Sequence, residues 1–410
     1  MVERIGWATL RQRSALLVGI AVLLAALLRP VPSFFLHRNG GDCVRYRDWS
    51  RLVVKEGMPA FPMLMNEWKQ KWVGFPPPTR WTWLAMIAGL MKIWPSGHDE
   101  YQPIVLLAWL GGVLALVPLG LWLRRLVQPE VVALALGLVA LSPLLRGMSK
   151  YPLPDSLQMS STMWLVYLTS EWAHAPRRWL LWAQGAAAFL LITVRETGLL
   201  SIVAAMALAL YYARRPTEAM AARAMRTRLW PIAAMLGGCV VAAASTVVVC
   251  GGWETLWSLV VVYVGALVKT GNIAFVSGPP YRYLVDFVIV APLVVVLAVA
   301  GLTRMLGQER WRALTAPLGL VLGVLFSTNA FLPKTLRYVL AVDVLLRVLV
   351  AALLYDVYVE GGRRARRVAI GLGIAVVLVD EALWYKLWAF DQVYDPVTWS
   401  LARQLQMIPR

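Results

Sequence analysis

Apolar runs of roughly 17–22 residues recur along the chain between short clusters of charge, the length a helix needs to cross a bilayer at about 1.5 Å per residue. Transmembrane β-strands would be shorter and would alternate in polarity, so the pattern predicts an all-α polytopic membrane protein. The first run, Ser14–Phe35, follows Arg11 and Arg13 and offers no clean small-residue cleavage site, so it is expected to stay as an uncleaved first helix. Further spans are expected over Pro103–Leu123, Val131–Met148, Ser156–Trp172, Trp179–Val194, Thr197–Tyr212, Pro231–Cys250, Tyr283–Leu302, Ala316–Phe331, Tyr338–Tyr358 and Val368–Trp388, which makes about eleven in all. Two stretches break the rhythm, residues 37–102 and 251–282. In the first, Asp42–Gly57 puts Tyr46, Trp49, Leu52 and Val53 on one helical face and Arg47, Arg51 and Lys55 elsewhere, which suits a helix lying in the interface. In the second, Trp253–Lys269 reads the same way and the Gly278-Pro279-Pro280 turn follows it.

Composition agrees: 60% of the residues are hydrophobic, 15% are charged and the mean hydropathy is +0.64, outside the range of water-soluble domains. The net charge of +18 does not indicate nucleic acid, because the arginines sit in short loops between apolar runs. Arg124/Arg125, Arg177/Arg178, Arg214/Arg215, Arg304/Arg310 and Arg363/Arg364 all fall on one side if Thr79–Trp94, behind the Pro76-Pro77-Pro78 stop, is interfacial rather than spanning. That side is then the cytoplasmic one, together with the N-terminus, and the two long loops lie outside. The chain is expected to form one domain over 1–410 with no large soluble part.

Few residues are candidates for chemistry. No nucleotide-binding glycine motif follows a strand, Cys43, Cys239 and Cys250 suggest no disulfide or zinc site, and His37, His98 and His174 are scattered. An enzyme of this build needs an activated substrate that arrives in the bilayer, which points to a lipid-linked donor. Asp42 and Asp155 each precede a helix on the outer side, where either carboxylate can cap the helix or do chemistry, since a terminus that caps also keeps the carboxylate ionised. Arg195 and Glu196 interrupt two apolar runs, where ions are costly unless paired or facing water, so they either pair with each other in a turn or face a cavity. Asp343 and Arg347 are spaced to pair on one helix, whereas nothing in the sequence accounts for Asp380 and Glu381 at membrane depth.

The GDCVRYRDW turn after the first apolar run, FPPPTRWTW, SPLLRGMSKYPLPDSL, VRETGLL and TLRYVLAVDV resemble, in that order, motifs of the GT-C glycosyltransferases. The family 39 group is the nearest in pattern: protein mannosyltransferases and the lipid A aminoarabinose transferase. The resemblance implies that a sugar on a polyprenyl phosphate is transferred with inversion to a hydroxyl of a protein, lipid or envelope glycan, at the outer face of the cytoplasmic membrane of a bacterium. It implies Asp42 as the base, with Asp155 as the second acidic position. Arg337 with Tyr338 are implied at the lipid phosphate, and Arg45, Arg47, Arg195 and Glu196 are further candidates for binding substrate. No cofactor is required, and the use of a divalent metal stays open. Two positions depart from the family: Cys43 stands where a second acid usually follows the base, and Pro77 where a lysine often precedes the proline pair. Two other classes fit the composition: a transporter or flippase with Arg195, Glu196, Asp343, Asp380 and Glu381 along its pathway, and a non-catalytic scaffold relative.

Overall fold

The computed structural model describes residues 19–20, 42–71, 76–94, 100–217, 221, 223–268, 281–329 and 336–386. Apart from Gly19 and Ile20, the expected first span Ser14–Phe35 lies outside them, as do His37, His98, the Gly278-Pro279-Pro280 turn and Lys269. The described residues are 85% helical and contain no strand. They fall into two compact units, one of Val31–Gly111 with Ser149–Ala274, the other of Met1–Pro30, Gly112–Met148 and Phe275–Arg410.

The first of these units begins with helix Asp42–Glu56, which carries Asp42 in its first turn and Lys55 in its last, each sign favoured at its own end of the helix dipole. Cys43, Tyr46, Ser50 and Val53, spaced three and four apart, form its buried face. Trp49 and Leu52, expected on that face, are half-buried beside it. Gly57 ends the helix: at φ 69° its N–H reaches the Val53 carbonyl at 2.9 Å, a conformation that strains any residue with a Cβ. Helices Ala60–Lys71 and Trp81–Ile93 follow, and the second is pinned by a Trp81 Nε1–H bond to Thr246 Oγ1 at 3.3 Å. The rest of the unit consists of Asp155–His174, Arg178–Val194, Gly198–Arg214, Trp230–Cys250 and Glu254–Val268. Leu165, Ala188, Leu191, Ile202, Ala205 and Met235 from four of these helices form a fully buried core. Helix Asp155–His174 starts against Gly111, where an added Cβ would lie 2.6 Å from the Leu157 amide nitrogen.

In the other unit, prolines break two of the expected spans. Val131–Met148 is two helices, Pro129–Ala140 and Pro143–Met148, because a residue before proline disfavours the helical conformation. Ser142 sits at that break and its hydroxyl accepts the Leu145 N–H at 3.1 Å, as an N-cap does. Tyr283–Leu302 is likewise two helices, Arg282–Val290 and Pro292–Leu306, which meet at 115° with Ala291 (φ −148°, ψ 60°) between them. Arg312–Asn329, Leu340–Glu360 and Arg363–Leu383 are continuous. Leu340–Glu360 is buried along nearly its whole length and carries two charged clusters. At one end Asp356 accepts hydrogen bonds from Arg304 Nε at 2.6 Å, from Trp311 Nε1 at 2.7 Å and from Arg310. At the other, Arg347 Nε reaches both Asp343 oxygens at 3.2 and 3.1 Å, as their spacing predicts, and its guanidinium also bonds Asp380 and, at 3.1 Å, the Leu138 carbonyl. Ser142 donates to Asp343 at 2.6 Å, and Glu381 pairs with Arg146, whose guanidinium lies 4.5 Å from the Trp384 ring centroid. Asp380 and Glu381, unexplained in the sequence, thus have partners far along the chain.

Among the described residues, five helices are long and apolar enough to cross a membrane, or six if the bent pair forms one span. Pro129–Ala140, Arg178–Val194 and Gly198–Arg214, which fall in expected spans, are apolar but shorter, as is Trp81–Ile93, which was expected to lie in the interface.

Candidate active site

The unit containing Asp42 gathers charge from four separated segments. Arg178–Val194 ends at Arg195, whose extended backbone turns the chain before it resumes at Gly198–Arg214. The turn does not pair its two charges with each other in the way the simplest sequence interpretation supposes. Arg195 donates to Asp155, both residues being buried to within 2% exposure. Glu196 turns to the segment after the prolines, where Thr79 donates to it at 2.9 Å and Arg80 Nε at 3.0 Å. Arg80, itself buried, also donates through Nη1 to the Tyr46 hydroxyl.

Tyr46 is fully buried and packs edge-on against Trp83, with ring centroids 6.3 Å apart. Burial pushes its phenol above the ordinary tyrosine range, the Arg80 cation pulls it down, the Asp42 carboxylate pushes it up and Arg195 pulls it down again. Of these groups, Arg80 is bonded to the hydroxyl directly. Asp42 is the first residue of its helix and half-buried, one turn before Tyr46. Asp155 likewise begins its helix, after Pro154, so it is not the cap; its Oδ1 takes Arg195, while the buried Oδ2 has no hydrogen-bond partner among the described residues.

The other predicted residues spread further. Arg45 is half-buried, and the Asp42 carboxylate opposes the cost that burial imposes on its cation. Arg47 bonds Asp48 at 2.8 Å, with its guanidinium 5.0 Å from the centroid of the Tyr101 ring. Arg337 and Tyr338 belong to the other unit, in the short turn Leu336–Val339, with the guanidinium 5.5 Å from the neighbouring ring centroid. Among the described residues, no three His, Cys, Asp or Glu side chains converge as metal ligands would.

Thr79, Arg80 and Tyr46 were not singled out from the sequence. Their only signal was position: a cation directly after the proline run, ahead of a Trp-rich helix, and a tyrosine one turn beyond the acidic residue.

The helical architecture is the GT-C fold of membrane glycosyltransferases. The AglB oligosaccharyltransferase of Archaeoglobus fulgidus, solved with an inhibitory peptide and a dolichol-phosphate, superposes with a TM-score of 0.57 at 14% identity over 97% of this chain and 60% of that one. ArnT of Cupriavidus metallidurans, bound to undecaprenyl phosphate, superposes with a TM-score of 0.57 at 17% identity over 98% of this chain and 72% of that one. The chain therefore spans about 60% of the length of the AglB structure. No family model matches the chain, and no curated protein matches its sequence.

Proposed function

We propose that the chain is an inverting glycosyltransferase that moves a sugar from a polyprenyl-phosphate donor to a hydroxyl of a protein, lipid or envelope glycan at the outer face of the membrane. The observation that carries this is that, within a GT-C fold, Asp42 lies one helical turn before Tyr46, whose hydroxyl is bonded to Arg80 in a cluster where Arg80 pairs with Glu196 and Arg195 with Asp155. Asp42 acts as the base. As the acceptor oxygen attacks the anomeric carbon, its proton passes to the Asp42 carboxylate, the carbon–phosphate oxygen bond breaks, and the electron pair leaves on the lipid phosphate. That leaving group is already a stable anion and needs cations more than an acid. The resemblance to the GT-C family gives that part to Arg337 with Tyr338, and the guanidinium forks of Arg45 and Arg47 are suited to two phosphate oxygens in the same way. The open, buried oxygen of Asp155 is suited to accept a hydrogen bond from a substrate hydroxyl.

A transporter would need its intramembrane charges to face a pathway. Here Arg195, Glu196, Asp343, Asp380 and Glu381 are all engaged by protein partners, which favours the transferase. Mass spectrometry of membranes with and without the chain tests the proposal. A polyprenyl-phosphate sugar should accumulate when the chain is absent or carries Asp42→Asn, with the matching sugar missing from the envelope. Unchanged pools would favour the scaffold relative, and full transfer by Asp42→Asn would remove Asp42 as the base.

A further inference from the structure

Where helix Leu340–Glu360 gives way to helix Arg363–Leu383, the charges separate into two groups. Before the turn, Asp356 and Glu360 are taken up by Arg304 and Arg310, which reach Glu360 at 3.2 and 2.6 Å. After it, Arg363, Arg364, Arg366 and Arg367 crowd into the first five residues of the second helix, all of them exposed. Arg366 is docked, its Nε donating to the Tyr358 carbonyl at 3.2 Å and its guanidinium lying 5.6 Å from the Tyr358 ring centroid. Among the described residues, the side chains of Arg363, Arg364 and Arg367 bond to no other group. We infer that this end of the helix holds an anionic phospholipid, with its phosphate on Arg363 and Arg367 and its acyl chains along Ile370, Ile374 and Leu378.

Three observations carry this. Residues 363, 367, 370, 374 and 378 follow one another at intervals of three or four, so the two arginines head a stripe along a single helix face. The apolar part of that stripe is open, with Ile370 exposed to 53%, Ile374 to 54% and Leu378 to 63%, on a helix apolar enough to cross a membrane. Its length also fits: from Arg367 to Leu378 the helix rises about 16 Å, one leaflet's share of a hydrocarbon layer of about 30 Å.

Charge selects the headgroup. The start of a helix disfavours cations, and the nearest acid in the chain, Glu360, is engaged by Arg304 and Arg310 instead. A phosphate offsets that repulsion, and a guanidinium fork fits two of its oxygens. A zwitterionic headgroup brings a cation of its own and offsets less. A soluble polyanion would meet the arginines but leave the apolar stripe unused, so the pairing of the two features favours a lipid.

Native mass spectrometry of the full chain in detergent, titrated with phosphatidylglycerol or phosphatidylcholine, tests this. An arginine beside an anionic lipid contributes about fivefold in affinity, so two should make phosphatidylglycerol bind about 25-fold tighter than phosphatidylcholine. Arg363→Gln with Arg367→Gln should bring that preference to within about twofold while phosphatidylcholine binding stays near the wild-type level. Arg177→Gln with Arg178→Gln removes the same charge from exposed positions elsewhere and should leave the preference intact. Millimolar inorganic phosphate should not displace the lipid, because it makes no use of the apolar stripe. Absence of a preference in wild type overturns the inference. So does an equal loss of preference in both double variants, which shows diffuse net charge, and so does displacement by inorganic phosphate, which shows a free-anion site. Loss of both lipids alike in the Arg363/Arg367 variant overturns it too, because it assigns those arginines a merely structural part. No arm measures transfer, so failure here leaves the proposed function untouched.

Discussion

Arg195 and Glu196 are consecutive in the chain yet face different partners, Arg195 bonding Asp155 and Glu196 bonding Thr79 and Arg80. A single turn between two helices therefore fixes two other segments at once, the start of helix Asp155–His174 and the residues after the proline run. Losing either charge leaves a buried partner without its counter-ion, a far larger effect than the loss of a surface pair.

Arg195→Gln should therefore destabilise the protein by about 3–5 kcal/mol, the range for breaking one side of a buried pair. Adding Asp155→Asn should recover part of that loss, because no carboxylate is then stranded. Thermal unfolding of the purified protein in detergent measures both; equal losses in the single and double variants would contradict the pairing.

Tyr46 gives stability a dependence on alkaline pH. Its folded-state phenol is raised by burial, so ionisation favours unfolding: the contribution is complete below the ordinary tyrosine value of about 10 and is lost as pH rises beyond it. Between about pH 9 and 12 wild type should lose more thermal stability than Tyr46→Phe. Parallel curves for the two proteins would show that Tyr46 does not titrate on unfolding.

Gly111 leaves no room for a side chain beside Ser156 and Leu157. Gly111→Ala must move the start of helix Asp155–His174 and with it Asp155, at a cost of about 1–3 kcal/mol as for other overpacked sites. Transfer should fall by more than the lost stability explains, which is checked by comparing the residual rate per folded molecule with that of Arg195→Gln.

In the other unit, Arg347→Met strands Asp343 and Asp380 in a fully buried site. It should cost about 3–5 kcal/mol, and the triple change with Asp343→Asn and Asp380→Asn should restore much of it. Unfolding midpoints that rank the triple variant below the single one would be evidence against this network.

How much of this was legible in the chain depended on sequence distance. Asp343 and Arg347 lie on one helix four apart, which local periodicity revealed, and the helix from Asp42 buries Tyr46 and Val53 as its pattern predicts, while Cys43 and Ser50 take the places expected of Trp49 and Leu52. Asp380 pairs with Arg347 and Glu381 with Arg146, 33 and 235 positions away, distances no local pattern spans. Arg80 was invisible as a site residue for the same reason: Tyr46 is 34 positions before it and Glu196 is 116 after it. The breaks at Pro143 and Pro292 had a signal that uniform hydropathy masked, since valines and leucines continue on both sides of each proline.

The 115° break at Ala291 bears on the lipid around the protein. Helix Pro292–Leu306 rises only about 22 Å over its fifteen residues, against a hydrocarbon layer of about 30 Å. The nine residues of Arg282–Val290 do not extend that rise, because a bend of 115° turns them away from the axis of the longer helix. A bilayer crossed by this pair alone becomes thinner beside it, at a fraction of a kcal/mol for each ångström of mismatch.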